Sequence, residues 1–371
     1  MMAKSNLHAL SELGQSVWID FLSREMIHGG ELERMMREDA VVGVTSNPTI
    51  FQKAISSGDA YDEQLKELLE EHFDGVEAFF QLAERDISDA CDLLRPVWEA
   101  TAGRDGYVSI EVDPNLAYDT KASFEQAKRL HETIDRPNLF VKIPGTEPGL
   151  SAIEDSIAEG RSINVTLIFS IDRYAEVADA YIRGVERLLE AGGDPSRVAS
   201  VASFFVSRVD TEADKRLDEI GADEALALRG KLAVANAKLA YQRYLELFST
   251  DRWRELELKG ASRQRCLWAS TSVKNPAYRD TLYVEELIGP ETVNTMPEET
   301  IEAFQDHGKV ALTLAKDVDE AKSVFEEMER VGVDYADVTD VLEKEGVEKF
   351  SDSFSELLEG IREKRGQLVP A

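Results

Sequence analysis

Cysteine is almost missing from this chain: Cys91 and Cys266 are the only two among 371 residues. They stand far apart and form no CxxC pair, which excludes a disulfide framework and fits a reducing cytoplasm. Histidine is nearly as scarce. His8, His28, His72, His131 and His307 show no HxH or HExxH spacing, so no metal site is expected. Long apolar runs are absent too. Nothing approaches the roughly 18 consecutive apolar residues of a membrane-spanning helix. The polar, helix-like stretch Met1 to Val17 lacks the apolar segment of a secretory signal. Positive charge is in deficit, with 42 Lys and Arg against 72 Asp and Glu, a net charge of -30. Such a polyanion repels phosphate backbones and acidic membrane surfaces, so neither nucleic acid nor membrane is an expected partner. The acidity is spread along helical segments, as on a solvated surface. Any phosphorylated ligand then needs a local basic patch.

What is present is an alternation of short β-branched runs with long amphipathic segments. Strands are expected to begin near Val17, Val41, Tyr107, Leu139, Ser162, Ala199, Cys266 and Glu291. Helices between them argue a single α/β domain over 1–371, a closed parallel (β/α)8 TIM barrel. The β2–β3 connection (Asp59 to Ala100) and the β6–β7 connection (Thr211 to Leu258) each have room for extra helices. A helical extension is expected over about 310–371, covering one end of the barrel. Ile171, Tyr174, Val177, Ala178, Tyr181, Val185 and Leu188 recur at helical spacing behind Ser170, a capping residue. Phe354, Leu357, Leu358 and Ile361 repeat the pattern near the C-terminus.

The strands carry a second signal. Barrel strands send alternate side chains outward to the helices and inward to the lumen. Val108, Ile110 and Val112 form an apolar set, which leaves Ser109, Glu111 and Asp113 inward. By the same rule Lys142 opposes Val141 and Ile143, and Ser162, Asn164 and Thr166 share a face. Val17 and Ile19 leave Asp20 on the other side; Val42 and Val44 leave Thr45, with Asn47 two residues on. One such strand reads as half-exposed. Several in succession, in a sheet buried on both faces, put a lysine and carboxylates where they need partners and a reason.

That set suits one chemistry. A lysine in a desolvated site can present a neutral amine to a ketone and form a Schiff base. Lys142 has apolar neighbours on both sides, Phe140-Val141 and Ile143-Pro144. Aldol cleavage through an imine then needs one group to move protons at the carbinolamine and another to take the proton of the hydroxyl beside the breaking bond. Glu111 and Asp20 are of the right type.

Gly43-Val44-Thr45-Ser46-Asn47-Pro48-Thr49-Ile50-Phe51 resembles the first signature of the transaldolase family. The run Val141-Lys142-Ile143-Pro144-Gly145-Thr146, continuing to Gly149-Leu150, resembles the second, which carries the Schiff-base lysine. Ser109-Ile110-Glu111-Val112-Asp113, Asn164-Val165-Thr166-Leu167 and Ser203-Phe204-Phe205-Val206-Ser207-Arg208 are also similar to family segments. The resemblance covers nearly the whole chain and implies transfer of a dihydroxyacetone unit between sugar phosphates. No metal or organic cofactor is implied, because the protonated imine is the electron sink. In its terms Lys142 is the nucleophile, Glu111 acts through a water at the carbinolamine, and Asp20 serves the cleaved bond. Thr45, Asn47, Asn164, Thr166 and Ser203 hold the dihydroxyacetone part. Arg208 grips the phosphate with Ser272 and Lys274. The family's free aldolases are similar around Ser203 to Arg208 but carry a tyrosine where Phe205 stands.

The chain departs from the family pattern at Lys274, where many members have arginine, and at Ser207, where glycine is frequent. Two alternatives stay open: an aldolase releasing free dihydroxyacetone from fructose 6-phosphate, and a non-catalytic barrel that binds sugar phosphates. Either a monomer or a homodimer is compatible with these features.

Overall fold

The computed structural model describes residues 5–368 apart from 72. Residues 1–4 of the expected N-terminal helix, and His72, therefore lie outside the described residues. The strands are β1 (Gln15–Ile19), β2 (Val41–Val44), β3 (Tyr107–Glu111), β4 (Leu139–Pro144), β5 (Ile163–Ile168), β6 (Ser200–Phe205), β7 (Arg265–Ala269) and β8 (Thr292–Met296). All neighbours pair in parallel and β8 returns to β1, closing the barrel. The long connections hold the extra helices. Pro48–Ser56, Asp62–Glu70 and Gly75–Ala100 lie between β2 and β3; Ser207–Ile220, Asp223–Leu226, Leu232–Leu247 and Asp251–Glu257 lie between β6 and β7. The helix Ile171–Glu190 begins at Ser170, whose side chain accepts from the Arg173 N–H.

The lower lumen, at the strand N-termini, is filled by aromatic rings and one ion pair. Trp18 on β1 reaches past β2 to the rings of Tyr107 and Phe140, at 6.5 and 6.1 Å. Tyr107 and Phe140 stack at 4.1 Å. Gly43 on β2 makes this reach feasible, since a Cβ there would lie 2.4 Å from the indole. Below, buried Arg265 on β7 pairs with Asp105 at 3.0 Å, and Asp105 also accepts from Ser16 and Trp18. Both charges are partnered, so this cluster plugs the barrel and forms a packed floor.

Above the floor the inward positions turn polar, and the register aligns them. Glu111 on β3 is opposite Lys142 on β4, and Lys142 is opposite Asn164 on β5. Asp113 departs from the expected inward set. Strand β3 has ended by then, and the Asp113 carboxylate accepts from the Asn115 N–H, capping the short 3-10 turn Pro114–Leu116.

The C-terminal extension consists of the helices Val318–Val331 and Tyr335–Leu368. The second, the C-terminal helix below, packs against the helices that follow β2 and β6 and against the turn after β3. Those elements all leave the C-terminal ends of strands, so the extension covers the end where barrel chemistry is sited.

Candidate active site

A cavity of about 500 Å³ opens at this end. Among its lining residues are Asp20, Thr45, Asn47, Lys142, Thr166, Ser203, Phe205, Arg208, Ser272 and Lys274. Glu111 and Asn164 do not line it. They flank Lys142 in register on the neighbouring strands, Glu111 against the Lys142 amine and Asn164 against the Ser203 hydroxyl.

Lys142 is buried, 4% exposed, which leaves its amine few partners other than those in reach. Nζ donates to the Ser46 carbonyl at 3.1 Å and lies 3.3 Å from Glu111 Oε2. Glu111 Oε1 has no partner among the described residues. Burial pushes the Glu111 carboxyl above its ordinary range, and Lys142 beside it only partly offsets this. Behind the lysine, Ser203 donates to Asn164 Oδ1 at 2.7 Å and Asn164 Nδ2 donates to Ser109 at 3.1 Å. The hydroxyl of Thr166 is buried with no partner among the described residues.

Asp20 follows β1 directly. Its N–H continues the ladder to Met296, and its carboxylate accepts from the Thr45 hydroxyl at 2.6 Å. Thr45 also meets Thr295 at 2.7 Å. Burial pushes the Asp20 carboxyl up, against the opposing pull of Lys142, the Thr45 bond, Arg208 and Lys274. Asn47 does local work as well: its side chain accepts from the Ile50 N–H and caps the helix Pro48–Ser56, with Pro48 at the first helical position. The Ser46-Asn47-Pro48 run is thus a helix start as much as a cavity wall.

At the rim, Arg208 belongs to the helix Ser207–Ile220 that follows β6. Its Nη1 is buried without a partner among the described residues. Lys274 donates to Ser272 at 2.7 Å. Lys53 adds to the cationic lining, so among the described residues four basic side chains, Lys142 included, converge on one cavity of a strongly anionic chain. Unsatisfied donors and converging positive charge fit a phosphate group. Ser207 keeps a negative φ and meets Ser270 at 2.9 Å, so the backbone of this turn does not require glycine.

Sequence reasoning missed Thr295, Ser46 and Phe350. Thr295 lies in the short polar β8, which gives no alternation to read. Ser46 contributes a carbonyl, which carries no side-chain signal. Phe350 lines the cavity from the C-terminal helix. Among the described residues no His, Cys, Asp and Glu group is arranged to hold a metal, and no helix is long and apolar enough to cross a membrane.

Residues 17–361 match the family described as transaldolase/fructose-6-phosphate aldolase. A transaldolase of Parafrankia sp. is 55% identical over 361 residues, 97% of this chain and 98% of that relative. The protein called transaldolase 2 of Streptomyces coelicolor is 52% identical over 366 residues, 98% of each. A transaldolase of Mycobacterium tuberculosis is 53% identical over 359 residues, 96% of each. By the family match and by more than 50% identity to these relatives over nearly their full length, the chain belongs to the transaldolase/fructose-6-phosphate aldolase family.

Proposed function

We propose that the chain catalyses the transaldolase reaction of the pentose phosphate pathway, with Lys142 as the Schiff-base nucleophile. The observation that carries this reading is the Lys142 amine held 3.3 Å from Glu111 at the base of a cavity that Asp20 also lines. The amine adds to the C2 carbonyl of sedoheptulose 7-phosphate. Glu111, acting through a water, moves the protons by which the carbinolamine loses water to become the protonated imine. Asp20 then takes the proton of the C4 hydroxyl, the C3–C4 bond breaks, and its electrons flow into the imine. Erythrose 4-phosphate leaves. The enamine attacks the aldehyde carbon of glyceraldehyde 3-phosphate, Asp20 returns its proton to the new alkoxide, and hydrolysis releases fructose 6-phosphate. Thr45, Asn47, Thr166 and Ser203 hold the three-carbon unit, and Asn164 holds Ser203 in place from behind the cavity wall.

The reading is tested by following fructose 6-phosphate formation from sedoheptulose 7-phosphate and glyceraldehyde 3-phosphate while measuring free dihydroxyacetone. Transfer without release is expected. Release as fast as transfer would make the chain a free aldolase, and neither product would leave a binding protein.

Phe205 decides between the two enzymes. Its ring is 6% exposed and packs 5.2 Å from Phe169, a wall that offers no proton and admits little water. Phe205→Tyr places a phenol there, which can protonate the enamine or orient a water. With fructose 6-phosphate alone, the variant is expected to release dihydroxyacetone about tenfold faster, a modest share of what a well-placed proton donor contributes. Unchanged release would reduce Phe205 to packing.

Arg208 is assigned the substrate phosphate, with Ser272 and Lys274. Arg208→Ala is expected to raise KM for glyceraldehyde 3-phosphate by roughly 30-fold or more, since removing one partner of a buried charge pair costs about 2–5 kcal/mol. KM for unphosphorylated glyceraldehyde should hardly change. Equal effects on both acceptors would make Arg208 a structural cation. A cytoplasmic setting is supported by the two free, buried cysteines.

A further inference from the structure

We propose that Phe350, on the C-terminal helix, is a positioning residue for the substrate phosphate. With Phe205 it clamps the Arg208 guanidinium between two aromatic rings and leaves the arginine N–H groups free. This rests on the reading of Arg208 as the phosphate grip.

The geometry is specific. The Arg208 guanidinium carbon lies 5.1 Å from the Phe205 ring centre and 5.9 Å from that of Phe350. Both fall within the roughly 6 Å reach of a cation–π contact. The rings come from elements distant in sequence, one at the end of β6 and one in the helix Tyr335–Leu368. Arg208 forms no ion pair among the described residues, and its Nη1 is buried and unpartnered. The carboxylates whose charge reaches it are Asp20, Glu345 and Glu111. Glu111 faces Lys142, Asp20 accepts from Thr45, and Glu345 pairs with Lys349 at 2.7 Å.

A holder of this kind has a chemical consequence. A carboxylate that fixed the guanidinium would occupy its in-plane donors, the same donors that a phosphate needs. A ring attracts the charge through its face and takes no N–H. Two rings therefore fix the position of the fork while its hydrogen-bonding edge stays open to an anion. Pre-organisation of this type lowers the side-chain ordering cost at the moment of binding.

The clamp is also held rigidly. Phe205 packs on Phe169 at 5.2 Å. Phe350 is 4% exposed and has Gly346 and Phe354 one helical turn to either side. At Gly346 the helix comes so close that a Cβ would lie 3.0 Å from Leu167 Cδ2 and 3.4 Å from Phe169. Leu167 occupies the irregularity of β5 with φ 58°, a left-handed conformation that a leucine rarely takes. Phe354 packs edge-on against Phe79 at 5.4 Å. The strand irregularity and the aromatic cluster together seat the helix so that Phe350 meets Arg208.

The test compares KM and kcat for glyceraldehyde 3-phosphate and for unphosphorylated glyceraldehyde in Phe350→Leu, Phe350→Met and Phe350→Tyr. The leucine and methionine variants are expected to raise KM for the phosphorylated acceptor about tenfold, equivalent to ~1.4 kcal/mol. Their kcat, and KM for the unphosphorylated acceptor, should stay near the parent. Tyrosine keeps the ring face and should restore KM. In an Arg208→Ala background, Phe350→Leu should add nothing to KM. The volume-conserving methionine variant carries the test if the leucine variant melts early. Equal changes for both acceptors, failure of tyrosine to rescue, or additivity with Arg208→Ala would overturn the proposal. If Arg208→Ala itself spares KM for the phosphorylated acceptor, the phosphate reading fails. If Arg208→Ala raises it and Phe350→Leu does not, only the clamp fails.

Discussion

Borohydride added to the protein with fructose 6-phosphate is expected to fix a three-carbon unit on Lys142. Retro-aldol cleavage expels glyceraldehyde 3-phosphate, and with no acceptor present the dihydroxyacetone carbons remain on the lysine as imine and enamine. Hydride reduces the C=N bond to a secondary amine that survives proteolysis and can be located by peptide mass. Lys142 is singled out because, among the described residues, its amine alone combines burial, a carboxylate at 3.3 Å and a place beneath the cavity. Lys53 and Lys274 line the same cavity and serve as internal controls: an adduct on either would remove Lys142 from the centre of the mechanism. Lys142→Met keeps most of the aliphatic stem and should lose both trapping and turnover. The loss is expected to be about 10⁴-fold or more, the scale seen when a covalent nucleophile is removed. The substitution leaves Glu111 buried without its counter-charge. Burial already pushes that carboxyl up and Lys142 holds it back, so in the variant it should take up a proton more readily and the fold should survive. A variant that melts early at neutral pH and recovers in mild acid would report the stranded charge, and trapping can then be scored at the lower pH.

Much of this site is legible in the sequence, for a physical reason. In a parallel barrel the outward face must be apolar, so a polar residue between Val141 and Ile143 or between Ile110 and Val112 has only the lumen to enter. Parity placed Lys142 and Glu111 inward, and the register sets them side by side. Periodicity stops where the strand stops. Asp113 keeps the alternation in the sequence, but β3 has ended by then and the residue caps a turn. Periodicity also reports that a face is buried without reporting what covers it. The stripe Phe354, Leu357 and Ile361 reads as a helix face, yet its seat on the cluster around Phe79 is made between segments far apart in the chain, as is the contact of Phe350 with Arg208. Bottom-layer partners show the same limit. Asp105 and Arg265 look like strand-flanking charges, and only closure of the barrel brings them to 3.0 Å. The net charge of -30 argued against a phosphate ligand until the fold gathered Arg208, Lys274 and Lys53 at one mouth.

Asp20→Asn is expected to separate imine formation from carbon–carbon cleavage. Asparagine matches the shape of aspartate, and its Oδ1 can still accept from Thr45 at the 2.6 Å contact, so the Thr295–Thr45–Asp20 arrangement should persist. What the amide cannot do is take a proton from the C4 hydroxyl and give one back. Burial suits the carboxylate to both tasks. It pushes the pKa up from the ordinary aspartate range, while Lys142, the Thr45 bond, Arg208 and Lys274 hold it back, so the group is a stronger base than an exposed aspartate. The variant should therefore still be trapped on Lys142 by borohydride with sedoheptulose 7-phosphate, now as the uncleaved seven-carbon adduct. Turnover should fall by about 10²-fold or more, the usual scale of positioned acid–base catalysis. The pH profile gives an independent reading. As pH falls, the parent loses kcat/KM when Asp20 takes up its proton, and the raised pKa puts that limb above the usual carboxylate range; in Asp20→Asn the limb should vanish. A seven-carbon adduct with lost turnover supports cleavage as the step that Asp20 serves. Loss of trapping would move Asp20 to the carbinolamine and leave cleavage to Glu111. Turnover near that of the parent would remove Asp20 from the mechanism altogether.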